Sequence, residues 1–420
     1  RKRLALVRLI LSEPEFLTLA ALASAHAYWP EFRGPGSQGH APDAAPPVQW
    51  SPAVRRGIKW QAPIPGTGWS SPIVLDGRIY LTTAVDNGST GTSLRALCLD
   101  AADARVLWDR EIFRQPPDAP PIHRKNSHAS PTPVIEADHL YVHFGHQGTA
   151  CLNAADGTPV WATRDHPYAP VHGNGGSPVI EGGLLIYNAD AAEAPAVIAL
   201  DKATGRQKWR FARASTARNK FSFSTPLLIE VAGARQLVTA GSGVVNALDP
   251  ATGREIWRAT YGDGYSVVPR PVFAHGRIYL ATGYNKPSVL AIRADGAGDV
   301  TATHIVWQAD KNAPHNPSMI VVGDELYYLA DNGILTCADA HSGKVHYQER
   351  ATGPASASIL HAAGRLYLQD ERGLGVILQA GRAFRILHKN DLAERALASH
   401  ALVDQDLLIR TEKHLWRITR

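Results

Sequence analysis

The stretch Ala247-Leu-Asp-Pro-Ala-Thr-Gly-Arg-Glu-Ile-Trp257 constrains this chain most, because close copies of it recur along almost the whole sequence. It reads as the end of one strand (Val244 to Leu248), a tight turn built on Asp249 and Gly253, and a second strand closing on Trp257. Further copies run from Leu99-Asp100 to Trp108, Leu152-Asn153 to Trp161, Leu200-Asp201 to Trp209 and Ala338-Asp339 to Tyr347. In each, the acidic or Asn residue precedes the aromatic by eight positions. The copy from Ile292-Arg293 to Trp307 carries an insertion, and the one around Val376 to Leu387 is degraded.

A second phrase alternates with the first: Ser-Pro, an apolar strand, a turn and a strand ending near Tyr. Ser71-Pro-Ile-Val-Leu-Asp-Gly-Arg-Ile-Tyr80 is its clearest copy. Others begin at Thr132-Pro133, Ser177-Pro178, Thr225-Pro226, Arg270-Pro271, Pro317-Ser318, Ala357-Ser358 and, more faintly, His400-Ala401. Together the phrases make a four-stranded unit recurring at the roughly 40 to 50 residues of a propeller blade. Seven full units run from Ser71 to about Leu387. An eighth supplies only three strands before the chain ends, and the isolated strand Ile58 to Ala62 provides its fourth. The ring thereby closes without an open sheet edge. The expected fold is all-β, an eight-bladed propeller of four-stranded antiparallel blades over residues 57–420. Abundant Gly and Pro with a single Met suit many short strands joined by turns.

Ahead of the propeller, Arg1-Lys-Arg, apolar runs and small residues at Ala25-His-Ala27 have the parts of a secretory signal over 1–27. Residues 28–56, rich in Pro and Ala, read as an extended arm whose Trp29 and Trp50 pack onto the body. No later run is long enough to span a bilayer. The net charge of +5 is spread out rather than gathered on one stretch, which argues against nucleic acid as a partner.

The A-x-D-x-x-T-G-x-x-x-W pattern of Ala199 to Trp209 and Ala247 to Trp257 resembles the docking motif of the pyrroloquinoline-quinone-type propeller repeat. The resemblance covers nearly everything from Gly57 to Arg420. It implies that Trp108, Trp161, Trp209, Trp257 and Trp307 are sandwiched between blades near a glycine of the neighbouring motif. Two branches share the fold: quinone-dependent alcohol dehydrogenases, and the non-catalytic eight-bladed lipoprotein of the outer-membrane barrel-assembly machinery. Trp29-Pro-Glu-Phe-Arg-Gly-Pro35 also looks like the start of exported bacterial propellers of this type. The dehydrogenases usually carry adjacent cysteines in a disulfide. Here Cys98, Cys151 and Cys337 fall on the third strands of three different blades, in register with Ala199 and Ala247, which marks a small buried position.

The first strand of each blade lines the axis, so the loops leading into those strands share one face with the loops between second and third strands. Polar, cationic and aromatic residues gather in them. The candidate ligand residues are Trp69, His123, Arg124, Lys125, Asn126, His128, His172, Asn174, Lys220, Tyr265, Arg270, Tyr284, Asn285, His315, Asn316 and Arg410. Arg and Lys suit charge-assisted contacts to an anionic or polyhydroxylated ligand, and Trp69 or Tyr265 offers a stacking surface. The solvated rim of any propeller accounts for the same residues. His172-Gly-Asn-Gly-Gly176 admits either backbone approach to a ligand or a tight turn. His123 and His128 lack a third metal ligand at recognisable spacing, and Asp370-Glu371 reads as a turn rather than a calcium or acid-base pair. No nucleophile elbow, phosphate loop or zinc signature is present.

These features lead to an exported, periplasmic or secreted monomer that binds an envelope protein or an extracellular polymer, without recognisable catalytic machinery and with no cofactor called for by its residues. The resemblance implies the alternative of a quinoprotein alcohol or sugar dehydrogenase holding pyrroloquinoline quinone with calcium. A lyase or hydrolase acting on acidic polysaccharide through rim His and Arg is the remaining reading.

Overall fold

In the computed structural model, residues 28–420 are described, so the expected leader at 1–27 lies outside the described residues. Turn chemistry sets the strands. In the motif turn the Asp249 carboxylate accepts the Ala251 N–H at 2.9 Å and the Asp249 carbonyl accepts that of Gly253 at 2.8 Å. Gly253 sits at φ 72°, a left-handed conformation that costs glycine little. Repeated, this device gives eight antiparallel sheets of four strands, two of them with a short extra strand on one edge. Blades 1 to 8 have as innermost strands Ile73–Leu75, Val134–Glu136, Val179–Glu181, Leu227–Val231, Val272–Ala274, Ile320–Val322, Leu360–Ala362 and Ala401–Val403. The only α-helix among the described residues is one turn, Thr301–His304.

The ring closes as expected. Ile58–Pro63 pairs antiparallel with His414–Ile418 as the outermost strand of blade 8. Four of the five docking tryptophans lie where the resemblance implies; the exception is Trp257, whose indole N–H donates to Gln236 Oε1 of its own blade at 3.0 Å because the insertion Gly298–Asp299 of blade 5 pairs alongside it. The indole N–H of Trp108 donates to the Ala154 carbonyl of the next blade at 3.0 Å, and Trp161, Trp209 and Trp307 donate likewise to Lys202, Pro250 and Ala340. A Cβ added at Gly157, Gly205, Gly253 or Gly343 would fall 2.6–2.8 Å from the preceding blade's indole. The motif glycine is therefore required by contact as well as by φ. Trp60 fills the same role for the closing blade, donating to Ala101 at 3.0 Å.

Residues 28–45 do more than lie against the body. Val74 of blade 1 exchanges two backbone hydrogen bonds with Trp29, and the Ile135 N–H of blade 2 donates to Pro30. The Phe273 N–H of blade 5 donates to the Gln38 side chain, Arg33 donates to the Met319 carbonyl beside blade 6, and His40–Ala41 pairs parallel with Leu360–Ala362 of blade 7. Only a segment running along the axis reaches the inner strands of so many blades. The arm thus occupies the central channel and satisfies inner-edge backbone groups that a bare propeller leaves open.

The arm also brings imidazoles into buried surroundings. His40 Nδ1 lies 3.2 Å from His361 Nδ1, and burial, then His361 and Arg33, push its pKa down to about 4. Burial also holds His400 at about 4 and His143 at about 3. These folded-state values lie below the ordinary histidine range, so the stability they protect is full above about pH 6.5 and is lost as pH falls towards 4. Melting temperature is expected to fall between pH 7 and pH 5, by on the order of 1–2 kcal/mol of unfolding free energy per such histidine. A melting temperature that is flat or rising over that interval contradicts the assignment.

Candidate functional site

Strand direction places the loops leading into the innermost strands and the second-to-third-strand loops on one face, here the upper face. On its axis opens a cavity of about 400 Å³. Phe32 of the arm lines it, and because the arm fills the channel beneath, the cavity is a bowl rather than a tunnel.

The bowl is ringed by hydroxyls. The Ser71 N–H donates to the Thr132 hydroxyl at 2.9 Å, Thr132 to Ser177 at 2.9 Å, and Ser177 to Thr225 at 2.9 Å. The ring resumes from the Arg270 N–H to Ser318, Ser318 to Ser358 and Ser358 to Ser399, at 3.0, 3.1 and 2.9 Å. Each of these hydroxyls accepts a backbone N–H from the blade before it, and all six line the cavity. A hydroxyl that accepts still has its own proton to give. The wall is aromatic. His123, His172, Tyr265 and Tyr284 line the cavity, and with the buried Phe221 and with His315 behind them they form a chain of ring contacts 4.2–6.2 Å between centroids, Tyr284 and His315 being stacked within 10° of parallel.

Charge is scarce. Lys125 Nζ meets Glu371 Oε1 at 2.7 Å, and the same oxygen accepts from Ser356 at 2.7 Å. Burial, with His172, Arg124 and Lys125 adding to it, lowers the His123 pKa; burial lowers His128 as well. Both imidazoles are therefore neutral at neutral pH.

Of the candidate residues, Trp69, His123, Lys125, Asn126, His172, Tyr265, Tyr284 and Asn316 line the cavity. His315 backs it through Tyr284. Arg124 contributes only its carbonyl, which accepts from Arg395, whose guanidinium lies over the Trp69 indole at 5.2 Å. His128 contacts Gln115, and Asn174 is buried between Tyr168, His146 and the Phe144 carbonyl as a strut of the loop. Lys220 is not among the lining residues, and Asn285 lines a separate hollow between blades 4 and 5.

Two arginines need correction. Arg270 is 1% exposed, and its guanidinium donates to the Phe32 carbonyl at 2.9 Å and faces Glu31 at 3.6 Å. It stands at the ring position that carries Ser or Thr in the other blades and anchors the arm. Arg410, also 1% exposed, donates to the Ser70 hydroxyl and carbonyl and to the Thr82 carbonyl at 2.6–3.0 Å, locking blade 8 to blade 1. Asp370 is a turn cap, accepting the Arg372 and Leu374 N–H groups. The three cysteines are free and buried, with burial pushing Cys98 up to about 12 and Cys151 and Cys337 to about 11.

The hydroxyl ring and Phe32 were missed as bowl residues. The signal for the ring was present: the residue opening each Ser-Pro phrase is Ser or Thr in seven of eight copies if the register is moved by one residue in blades 6 to 8.

Eight four-stranded blades, with four of the seams between them locked by Trp–Gly contacts, define a propeller of the quinoprotein type. More narrowly, the chain belongs to the family of outer membrane protein assembly factor BamB, whose profile matches residues 98–305 and 296–385. No curated protein matches the chain in sequence. Among solved structures it is similar to BamB from Moraxella catarrhalis, at 11% identity and a TM-score of 0.63 over 86% of this chain and 97% of that one. It is also similar to a europium-containing methanol dehydrogenase (10% identity, TM-score 0.56, 94% and 92% covered). A third is the quinohemoprotein alcohol dehydrogenase ADHIIG from Pseudomonas putida HK5 (12%, 0.54, 96% and 81%). At such identities these likenesses speak for the fold alone.

Proposed function

We propose that the protein is an exported binding module whose upper-face bowl takes an uncharged, hydroxyl-bearing ligand of carbohydrate type, such as the end or a loop of an extracellular polymer. The observation that carries this reading is the hydroxyl ring. Its six O–H groups accept from the backbone yet donate to no protein acceptor among the described residues. They are fixed donors for ligand oxygens, while the aromatic wall suits the apolar faces of sugar rings. A scaffold for protein partners in envelope assembly is the second reading, and the family match favours it.

The quinoprotein alternative has the fold but not the donor set. Pyrroloquinoline quinone is a flat tricarboxylate, and its calcium takes carboxylate and carbonyl oxygens. The bowl's lysine is paired with Glu371, no carboxylate is among the lining residues, and Arg270 and Arg410 are engaged elsewhere. These residues do not fit the group.

The test is calorimetric titration with neutral and acidic oligosaccharides, with extended peptides, and with the quinone plus calcium. Neutral oligosaccharides are expected to bind saturably. Replacing Tyr265 and His172 together by alanine is expected to weaken that binding about tenfold or more, the worth of one to two ring contacts, while leaving the melting temperature nearly unchanged. Saturable quinone binding with dye-linked alcohol oxidation overturns the proposal, and preference for peptides moves it to the second reading.

A further inference from the structure

The lower face, where the first-to-second and third-to-fourth strand turns emerge, carries a side-chain cluster unconnected with the bowl. His275 lies in the turn after the innermost strand of blade 5, Asp324 in the corresponding turn of blade 6, and His341 in the third-to-fourth-strand turn of blade 6. His341 Nε2 is 3.3 Å from Asp324 Oδ1 and His275 Nε2 is 3.6 Å from the same oxygen. All three ligand atoms lie within 4.8 Å of one another, and all three residues are open to solvent.

We propose that His275, Asp324 and His341 form a site for one borderline divalent cation, with Zn²⁺ as the type ion, that joins blade 5 to blade 6. With Zn–N and Zn–O bonds of about 2.0–2.2 Å, neighbouring ligand atoms of a tetrahedral site stand roughly 3.3–3.5 Å apart. The His341-to-carboxylate distance of 3.3 Å falls in this range and the His275-to-carboxylate distance of 3.6 Å lies just outside it, so the exposed rings need only small rotations to bring their nitrogens together. Two imidazoles and one carboxylate leave a coordination position for water. The mix of nitrogen and oxygen donors suits Zn²⁺ better than Ca²⁺ or Mg²⁺, which take oxygen.

Two further observations separate this cluster from a chance surface group. First, the repeats supply internal controls. The position of His341 is Ala102, Ala155, Ala203 and Ala251 in blades 1 to 4, so imidazole is a departure peculiar to this blade. His275 occupies a left-handed turn position at φ 53°, where Asp76, Ala137 and Ala232 stand in other blades. Second, the His341 turn is held before any ion arrives. Trp307 of blade 5 donates to the Ala340 carbonyl at 3.0 Å, and Arg277 of blade 5 donates to the His341 carbonyl at 2.8 Å. The docking contact that locks the blades thus also sets His341 beside His275, with ring centroids 4.5 Å apart. Such a fixed arrangement lowers the ordering cost of binding.

The experiment titrates chelator-treated, tag-free protein with Zn²⁺ by calorimetry and with Co²⁺ by visible absorption, alongside thermal melts. Wild type is expected to take up one equivalent, to develop the d–d bands of a low-coordinate Co²⁺ site, and to melt at higher temperature with Zn²⁺. His341→Ala restores the residue found in blades 1 to 4, so it folds, and it is expected to weaken binding at least about tenfold. His275→Ala with His341→Ala should abolish both the Co²⁺ bands and the Zn²⁺ effect on melting. Absence of saturable uptake by wild type overturns the proposal. Undiminished uptake by the double variant overturns it as well, since the ion then sits elsewhere.

Discussion

Replacing Trp257 by alanine is expected to lower the unfolding free energy by about 3–5 kcal/mol, the range for truncating a fully buried tryptophan. Trp257 is 0% exposed and belongs to the apolar cluster between blades 4 and 5, with Leu227, Val245, Leu280 and Ile292. Its indole N–H donates to Gln236 Oε1 at 3.0 Å, so truncation also leaves a buried amide oxygen unpaired. The other motif tryptophans dock on the next blade's turn. For Trp257 that place is taken by the insertion in blade 5, whose Gly298–Asp299 pairs parallel with Trp257 and Arg258. Trp161 is the internal control, because it docks on Gly205 yet stays only partly buried. Denaturant titration should show Trp257→Ala shifting the midpoint well beyond Trp161→Ala with an unchanged slope. Equal shifts would mean that docking geometry, not burial, sets the energy of the motif.

The same comparison shows why the ring was legible in the sequence while the axis was not. Period, turn residues and the Trp–Gly pair repeat, so each copy corroborates the others, and even the closing strand Ile58–Pro63 follows from counting. The arm has no copies. Its hydrogen bonds go to strand edges contributed by five blades, and nothing in the composition of residues 28–45 says which edges are free. Arg270 shows the cost of reading a loop by residue type. Against a repeat that otherwise offers Ser or Thr, an arginine signalled a departure, but whether its guanidinium faces ligand or arm depends on Phe32 and Glu31, more than 230 positions away. Arg410 misled for the same reason: read as a rim-loop residue, it is instead the last residue of the strand Asp406–Arg410, and its direction, towards Ser70 and Thr82, was set by the blade closing against it.

Trp29→Ala is expected to release the arm while leaving the blades folded. Trp29 is 2% exposed and packs in the cluster of blades 1, 7 and 8 with Val74, Leu81 and Leu402, so truncation costs about 3–5 kcal/mol. That loss falls on a segment held mainly by single hydrogen bonds to strand edges, each worth about 1 kcal/mol, so the arm opens before the sheets do. Hydrogen exchange reads the difference directly. The amides of Val74, Ile135, Phe273 and His361, whose acceptors are Trp29, Pro30, Gln38 and Gly39, should lose protection in the variant. Amides inside the blades, such as that of Leu97 in the Thr92–Asp100 strand, should keep theirs. Because Phe32 lines the bowl, the variant should also bind ligand more weakly than the wild type at the same temperature. If both sets of amides lose protection together, the arm folds as part of one cooperative unit with the ring, and the bowl cannot be opened from below without unfolding the propeller.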